Sequence, residues 1–187
     1  MTDDDVKYIL RNIKRGDIML VISGNPVSEL IGWFDDGPFS HTVAAKDPIY
    51  IIEASADGVI EDAIFKYIDS DHQCCLIRPD FKNERQVEKF IKSLTGYIGH
   101  GYDYGGLIGF GLYYILKWFG ITIKNVFASN YRVLCSEVIA RALAKVDKRF
   151  DLSQYEKDND FNLVSPNDIY RRAKIDDTFE IMIDTVA

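Results

Sequence analysis

Three residues far apart in the chain, Cys135, His41 and Glu53, have the types that nucleophilic acyl chemistry requires. Cys135 opens the run CSEVIARALAKV, in which Val138, Ile139, Ala142, Leu143 and Val146 recur at helical spacing while Arg141 and Lys145 fall on the other face. The spacing predicts an amphipathic helix with a thiol in its first turn. Free N–H groups and the macrodipole there favour an anion, which can bring a thiol from a pKa of about 8.5 into roughly the 3.5–7.5 range. A thiol so placed is a usable nucleophile near neutral pH. Free cysteines are also common buried packing residues, so a partner base is what separates the two roles.

His41 and Glu53 are candidates for that base and for the group that orients it. HTVAA at 41–45 and the apolar stretch at 49–54 flank Lys46-Asp47-Pro48, and proline suits a turn, so the pattern predicts a hairpin. With a three-residue loop at 46–48, Ala45 faces Ile49, Val43 faces Ile51 and His41 faces Glu53. Directly opposed side chains share a face with Cβ atoms about 4.5–5.5 Å apart. A one-residue slip would send one of the two to the other face. A cysteine nucleophile needs an imidazole to take its proton and return one to the leaving group, and the imidazole needs a third group to fix its tautomer.

The other candidates are less complete. His72 with Cys74 and Cys75 forms H-x-C-C, which lacks a second ligand pair at zinc spacing. His100 lies in a glycine-rich loop, where an exposed ring is expected. Tyr102 and Tyr104, flanking Asp103, are candidates for substrate contact, as is Ser40 beside the base. Glu137 reads as a favourable charge in the first turn of its helix. The GHGYDYGG run lacks the spacing of a phosphate-binding loop.

Behind these residues the chain reads as one α+β domain over 1–187, with strands early and helices late. A helix over 3–14 has Thr2 as N-cap, and the apolar run at 18–22 is a buried strand. Pro26 suits the first turn of a short helix carrying Val27, Leu30, Ile31 and Phe34. A strand around 75–78 stops at Pro79, a helix runs from the N-cap Asn83 through Leu94, and 96–106 is loop. A helix begins near Pro166, and a final strand covers 179–183.

A net charge of -7 argues against nucleic acid or an anionic membrane as main partner. With three cysteines, two of them adjacent, there is no disulfide framework, and the MTDDD start lacks a secretory signal, so a cytoplasmic location is expected. The uncharged run GGLIGFGLYYIL at 105–116 is short of the about 20 apolar residues a membrane span takes and is rich in glycine. It predicts a buried or half-exposed helix rather than an integral membrane segment, with acyl-chain or lipid contact if its aromatics face outward.

The order of these pieces resembles the circularly permuted NlpC-type papain-like cysteine hydrolases. GDIMLVI at 16–22, FSHTVAA at 39–45, YIIEASADGVI at 50–60, GYDYGGLIGFGL at 101–112, LCSEVIARAL at 134–143 and VSPNDIYR at 164–171 carry the resemblance, which covers roughly residues 10–172. In ordinary papain-like enzymes the cysteine precedes the histidine, whereas in the permuted group the histidine and its polar partner come first, as here. The resemblance implies a papain-like α+β fold in which the cysteine's helix packs on an antiparallel sheet bearing the histidine. It matches Cys135 to the nucleophile, His41 to the base and Glu53 to the third member. Leu134 stands where an aromatic is expected before the cysteine.

The expected function is a thiol amidohydrolase or peptidase acting through an acyl-enzyme on Cys135, with a small peptide-like, cell-wall-derived or acylated substrate and no metal or organic cofactor. Family members are linked to amide hydrolysis in cell-wall peptides, and more distant permuted relatives, including those like lecithin retinol acyltransferase, act on lipids. A lipid-directed acyltransferase or thioesterase is therefore the alternative, and a noncatalytic module that keeps the pocket is the third.

Overall fold

A computed structural model describes residues 1–22, 37–55, 57–69, 71–102, 132–133, 135–155, 160–161 and 164–186. Helix α1 (Asp3–Asn12) starts at Thr2, whose hydroxyl accepts from the Asp5 N–H while the Asp5 carboxylate accepts from the Thr2 N–H. Reciprocal bonds of this kind satisfy two N–H groups that a helix start leaves open. Asn83 caps α2 (Glu84–Thr95), and Ser165 with Asp168 forms a second capping box on α4 (Pro166–Ile175). Between them, Cys135–Val146 is α3.

Among the described residues eight strands accompany these helices: β1 (Ile18–Ile22), β2 (His41–Ala45), β3 (Tyr50–Ser55), β4 (Gly58–Ala63), β5 (Gln73–Pro79), β6 (Gly101–Tyr102), β7 (Arg132–Val133) and β8 (Phe179–Asp184). Six form one sheet in the order β4-β3-β2-β1-β5-β8, with every neighbouring pair antiparallel. The short β6 and β7 pair in parallel. The fold among the described residues is α+β.

Strand alternation divides the core into two layers. Ile18, Leu20, Ala44, Ile52, Cys75 and Ile77 face α2, α3 and α4, where Phe90, Leu94, Ile139, Leu143 and Ile169 fill the space. Met19, Val21, Val43, Ala45, Ile51 and Leu76 face the other way, against Ile9 and Ile13 of α1 and Ile64, Tyr67 and Ile68. Because both faces are covered, β1, β2 and β3 are buried along most of their length, and β1 reads as a continuous apolar run.

The β2–β3 register departs from the expected one. Val43 pairs with Glu53, Ala44 with Ile52 and Ala45 with Ile51. The Asp47 side chain accepts from the N–H groups of both Ile49 and Tyr50, each at 2.8 Å, and the Lys46 N–H bonds the Tyr50 carbonyl. That side-chain turn makes Asp47-Pro48-Ile49 the loop and moves the pairing by two residues. An even shift keeps His41 and Glu53 on one face.

Strand β7 and the 3-10 turns went unread in the sequence, and so did two further strands. Gly58–Ala63 is an edge strand, half exposed and carrying Glu61 and Asp62, which weakens its apolar pattern. Gly101–Tyr102, expected as loop, is a two-residue strand. Gly58 adopts φ +97, and any Cβ there would collide with the His100 carbonyl, which accepts from the Val59 N–H. The expected helix after Pro26 and the 105–116 run lie outside the described residues. No helix among those described is long and apolar enough to cross a membrane.

Candidate active site

Cys135 is the first residue of α3 and is buried against Ala44 and Ile52 of the sheet in the helical layer. Burial alone would push its thiol up. The charge of His41 and a hydrogen bond to its ring, then the N–H groups of Thr42 and Ser136, bring it below the ordinary thiol value. Cys74 and Cys75 lack such partners, and burial dominates there, raising Cys74 to about 12 and Cys75 further still.

His41 begins β2 and is 13 % exposed. Its Nε2 lies 2.8 Å from Glu53 Oε2, which leaves Nδ1 for the sulfur. Burial disfavours the imidazolium. The Cys135 thiolate and its hydrogen bond, followed by Glu53, outweigh that and carry the ring to about 9. By alternation His41 and Glu53 face the α1 layer while Cys135 belongs to the α3 layer. Sulfur and ring therefore meet around the end of β2, where the Thr42 N–H also reaches the sulfur.

The Glu53 side chain is wholly buried and accepts three donors. Tyr67 Oη donates to Oε2 at 2.6 Å and Lys66 Nζ to Oε1 at 2.7 Å, beside the His41 contact. Desolvation would raise its pKa, but the hydrogen bonds from His41, Lys66 and Tyr67 hold it at about 2. Tyr67, held in place by burial and packed 5.5 Å from the His41 ring, has its hydroxyl pushed up by burial and by Glu53.

A second set of bonds sets the spacing of the two halves. Asn167, in the first turn of α4, accepts from the Phe39 N–H at 3.0 Å and donates to the Phe39 carbonyl at 2.8 Å, two residues before His41. Ser136 Oγ, next to the nucleophile, donates to the Val164 carbonyl at 2.7 Å, just ahead of the same helix. A Cβ at Gly37 would collide with Asn167.

Cys135, His41 and Glu53 are thus brought together. Ser40, a candidate for substrate contact, is buried, with its N–H donating to the Val21 carbonyl. Tyr102 lies on β6 with its side chain outside the described residues, and Tyr104 and Leu134 also fall outside them. His72 Nδ1 pairs with Asp69 at 2.7 Å, and its ring stands edge-on to Tyr67. His100, expected in the open, is half-buried against Tyr97. Glu137 is buried and paired with Arg141 Nε at 2.7 Å. Thr42, Lys66, Tyr67 and Asn167 were not singled out in the sequence. A backbone donor has no sequence signature, and the other three are polar residues whose partners are 13 to 128 positions away.

No protein-family model matches the chain, and no curated protein is similar to it. Among solved structures it is similar to the metalloprotein YiiX of Escherichia coli O157:H7, a DUF1105 protein, at 16% identity and TM-score 0.62, covering 91% of this chain and 97% of that one. At that identity the likeness is one of fold.

Proposed function

We propose that this chain is a thiol-dependent amidohydrolase or peptidase of permuted papain-like topology, cleaving an amide in a small peptide-like or acylated substrate through an acyl-enzyme on Cys135. The observation that carries this reading is one hydrogen-bonded row: a thiol lowered by His41, an imidazole 2.8 Å from Glu53, and a carboxylate held ionised. The order of the chain supports the permuted topology, since the strands with His41 and Glu53 precede the helix with Cys135.

The Cys135 thiolate attacks the carbonyl carbon and forms the C–S bond, and the Cys135 backbone N–H at the start of α3 is suited to the developing oxyanion. His41 gives its Nδ1 proton to the departing amine as the C–N bond breaks. Water then adds to the thioester, losing a proton to His41, and the C–S bond breaks to restore thiolate and imidazolium. Glu53 keeps the ring's orientation throughout. Among the described residues no three His, Cys, Asp or Glu side chains are grouped to hold a metal ion, and His41 already engages both Glu53 and Cys135.

The test is selective labelling followed by trapping. At pH 6 a dilute iodoacetamide pulse should modify Cys135 well ahead of Cys74 and Cys75, read by peptide mass spectrometry. Equal rates for the three thiols would end the hydrolase reading. Incubation with muropeptides and, separately, with acyl lipids then distinguishes peptide hydrolysis from the lipid-directed alternative by the mass of the thioester on Cys135.

A further inference from the structure

A buried row of Cys135 thiolate, His41 imidazolium and Glu53 carboxylate carries two negative charges and one positive, and an unbalanced buried charge is costly. Lys66 supplies the second cation. It ends the 3-10 turn Ile64–Lys66 that follows β4, is 42% exposed, and bonds Glu53 Oε1 at 2.7 Å and Asp62 Oδ2 at 3.2 Å.

The charge balance of this row changes during turnover. Once the sulfur is acylated and His41 has given its proton to the leaving group, sulfur and ring are both neutral, and the carboxylate has lost one of its two cationic neighbours. A buried carboxylate in that position tends to take up a proton itself. Resting on the hydrolase function above, we propose that Lys66 is a positioning residue that keeps Glu53 ionised through the acyl-enzyme stage, so that the proton released by the attacking water goes to His41. Water loses that proton as its oxygen bonds the acyl carbon, His41 gains it, and the C–S bond breaks to release the thiolate.

The charged and titratable groups facing His41 are few. Cys135 comes from α3 and Glu53 from β3; behind Glu53 stand Lys66 and Tyr67, with Asp62 of β4 on Lys66. His72 reaches this group only through the edge of the Tyr67 ring and is tied to Asp69. Among the described residues, Lys66 is the one cation on Glu53 when His41 is neutral.

Replacing Cys135 by alanine supplies the neutral end group of the acyl-enzyme without needing a substrate. In that background, the 13C-labelled Glu53 carboxyl and the 15N-labelled His41 ring are titrated together by NMR with Lys66 intact, with Lys66→Met and with Lys66→Arg. With Lys66 intact the Glu53 carboxyl should keep its ionised shift while the His41 ring takes up its proton; in Lys66→Met, having lost its other counterion, it should move toward the protonated shift over the same pH range. Lys66→Arg should restore the ionised shift. A Glu53 carboxyl that stays ionised in Lys66→Met overturns the proposal, as does a change that arginine fails to reverse. A lack of selective Cys135 labelling in the native protein would instead remove the hydrolase function, so the two failures read out separately.

Discussion

His41 Nε2 reaches Glu53 Oε2 at 2.8 Å from a diagonal position, because Glu53 stands opposite Val43 on the neighbouring strand. Diagonal Cβ atoms lie farther apart than opposed ones, and the length of the glutamate closes the gap. An aspartate at 53 would fall short by one methylene. Glu53→Gln keeps the length and removes the charge that holds the ring protonated. Turnover should drop roughly 10²–10⁴-fold, and the pH at which Cys135 becomes half-reactive to iodoacetamide should rise. Glu53→Asp should also lose activity. A fully active aspartate variant would mean that the carboxylate does not act through this contact.

The pH profile follows from the Cys135–His41 pair. Ionisation of Cys135, below the ordinary thiol value, sets the acidic limb of hydrolysis. Deprotonation of His41 as pH rises through about 9 removes the proton owed to the leaving amine and sets the alkaline limb. Measured kcat/KM should therefore be bell-shaped with its upper limb near pH 9, and His41→Ala should abolish the bell.

Glu53 also links the site to acid stability. Its pKa is about 2 in the folded chain against a reference of 4.5, so its stabilising contribution is present above pH 4.5 and is lost as pH falls toward 2. Fully developed, that contribution is on the order of 3 kcal/mol. Tyr67→Phe removes one of the three donors and should cost about 1.5–3 kcal/mol near neutral pH, with a smaller cost once Glu53 is protonated. Urea unfolding at pH 7 would measure the Tyr67→Phe cost, and stepping the pH down through 2 the decline of the Glu53 contribution.

Asn167 ties the strand of the base to the helix that follows Val164. Asn167→Ala strands the buried N–H and carbonyl of Phe39, at about 1–3 kcal/mol for each group left unpaired. Besides a lower thermal midpoint, Cys135 should label more slowly at pH 6, since His41 lies two residues along. Asn167→Asp can accept from the Phe39 N–H but cannot donate to its carbonyl, so it should restore only part of the loss. Unchanged labelling in both variants would confine Asn167 to a structural role.

How much of this was legible varies by element. Helix α3 could be read to its ends because its apolar spacing and its first-turn thiol are local properties of 135–146. Strand β1 and the caps at Thr2 and Asn83 were legible for the same reason. Edge strand β4 was not, because a half-exposed strand need not alternate cleanly. The hairpin was visible, but its register turned on a side-chain turn at Asp47 that moved the loop by one residue.

The chain by itself determined which groups exist and on which elements: a cysteine at a helix start, and a histidine and a glutamate separated by an even shift of register. Side-chain periodicity decides those, and it survives a two-residue slip. Tertiary structure alone decided that Lys66 and Tyr67 converge on Glu53, that the Thr42 N–H turns to the sulfur, and that Asn167 holds Phe39 from 128 residues away. Such contacts join groups whose separation along the chain carries no period. They form only when a covered sheet brings its two layers together at the end of one strand.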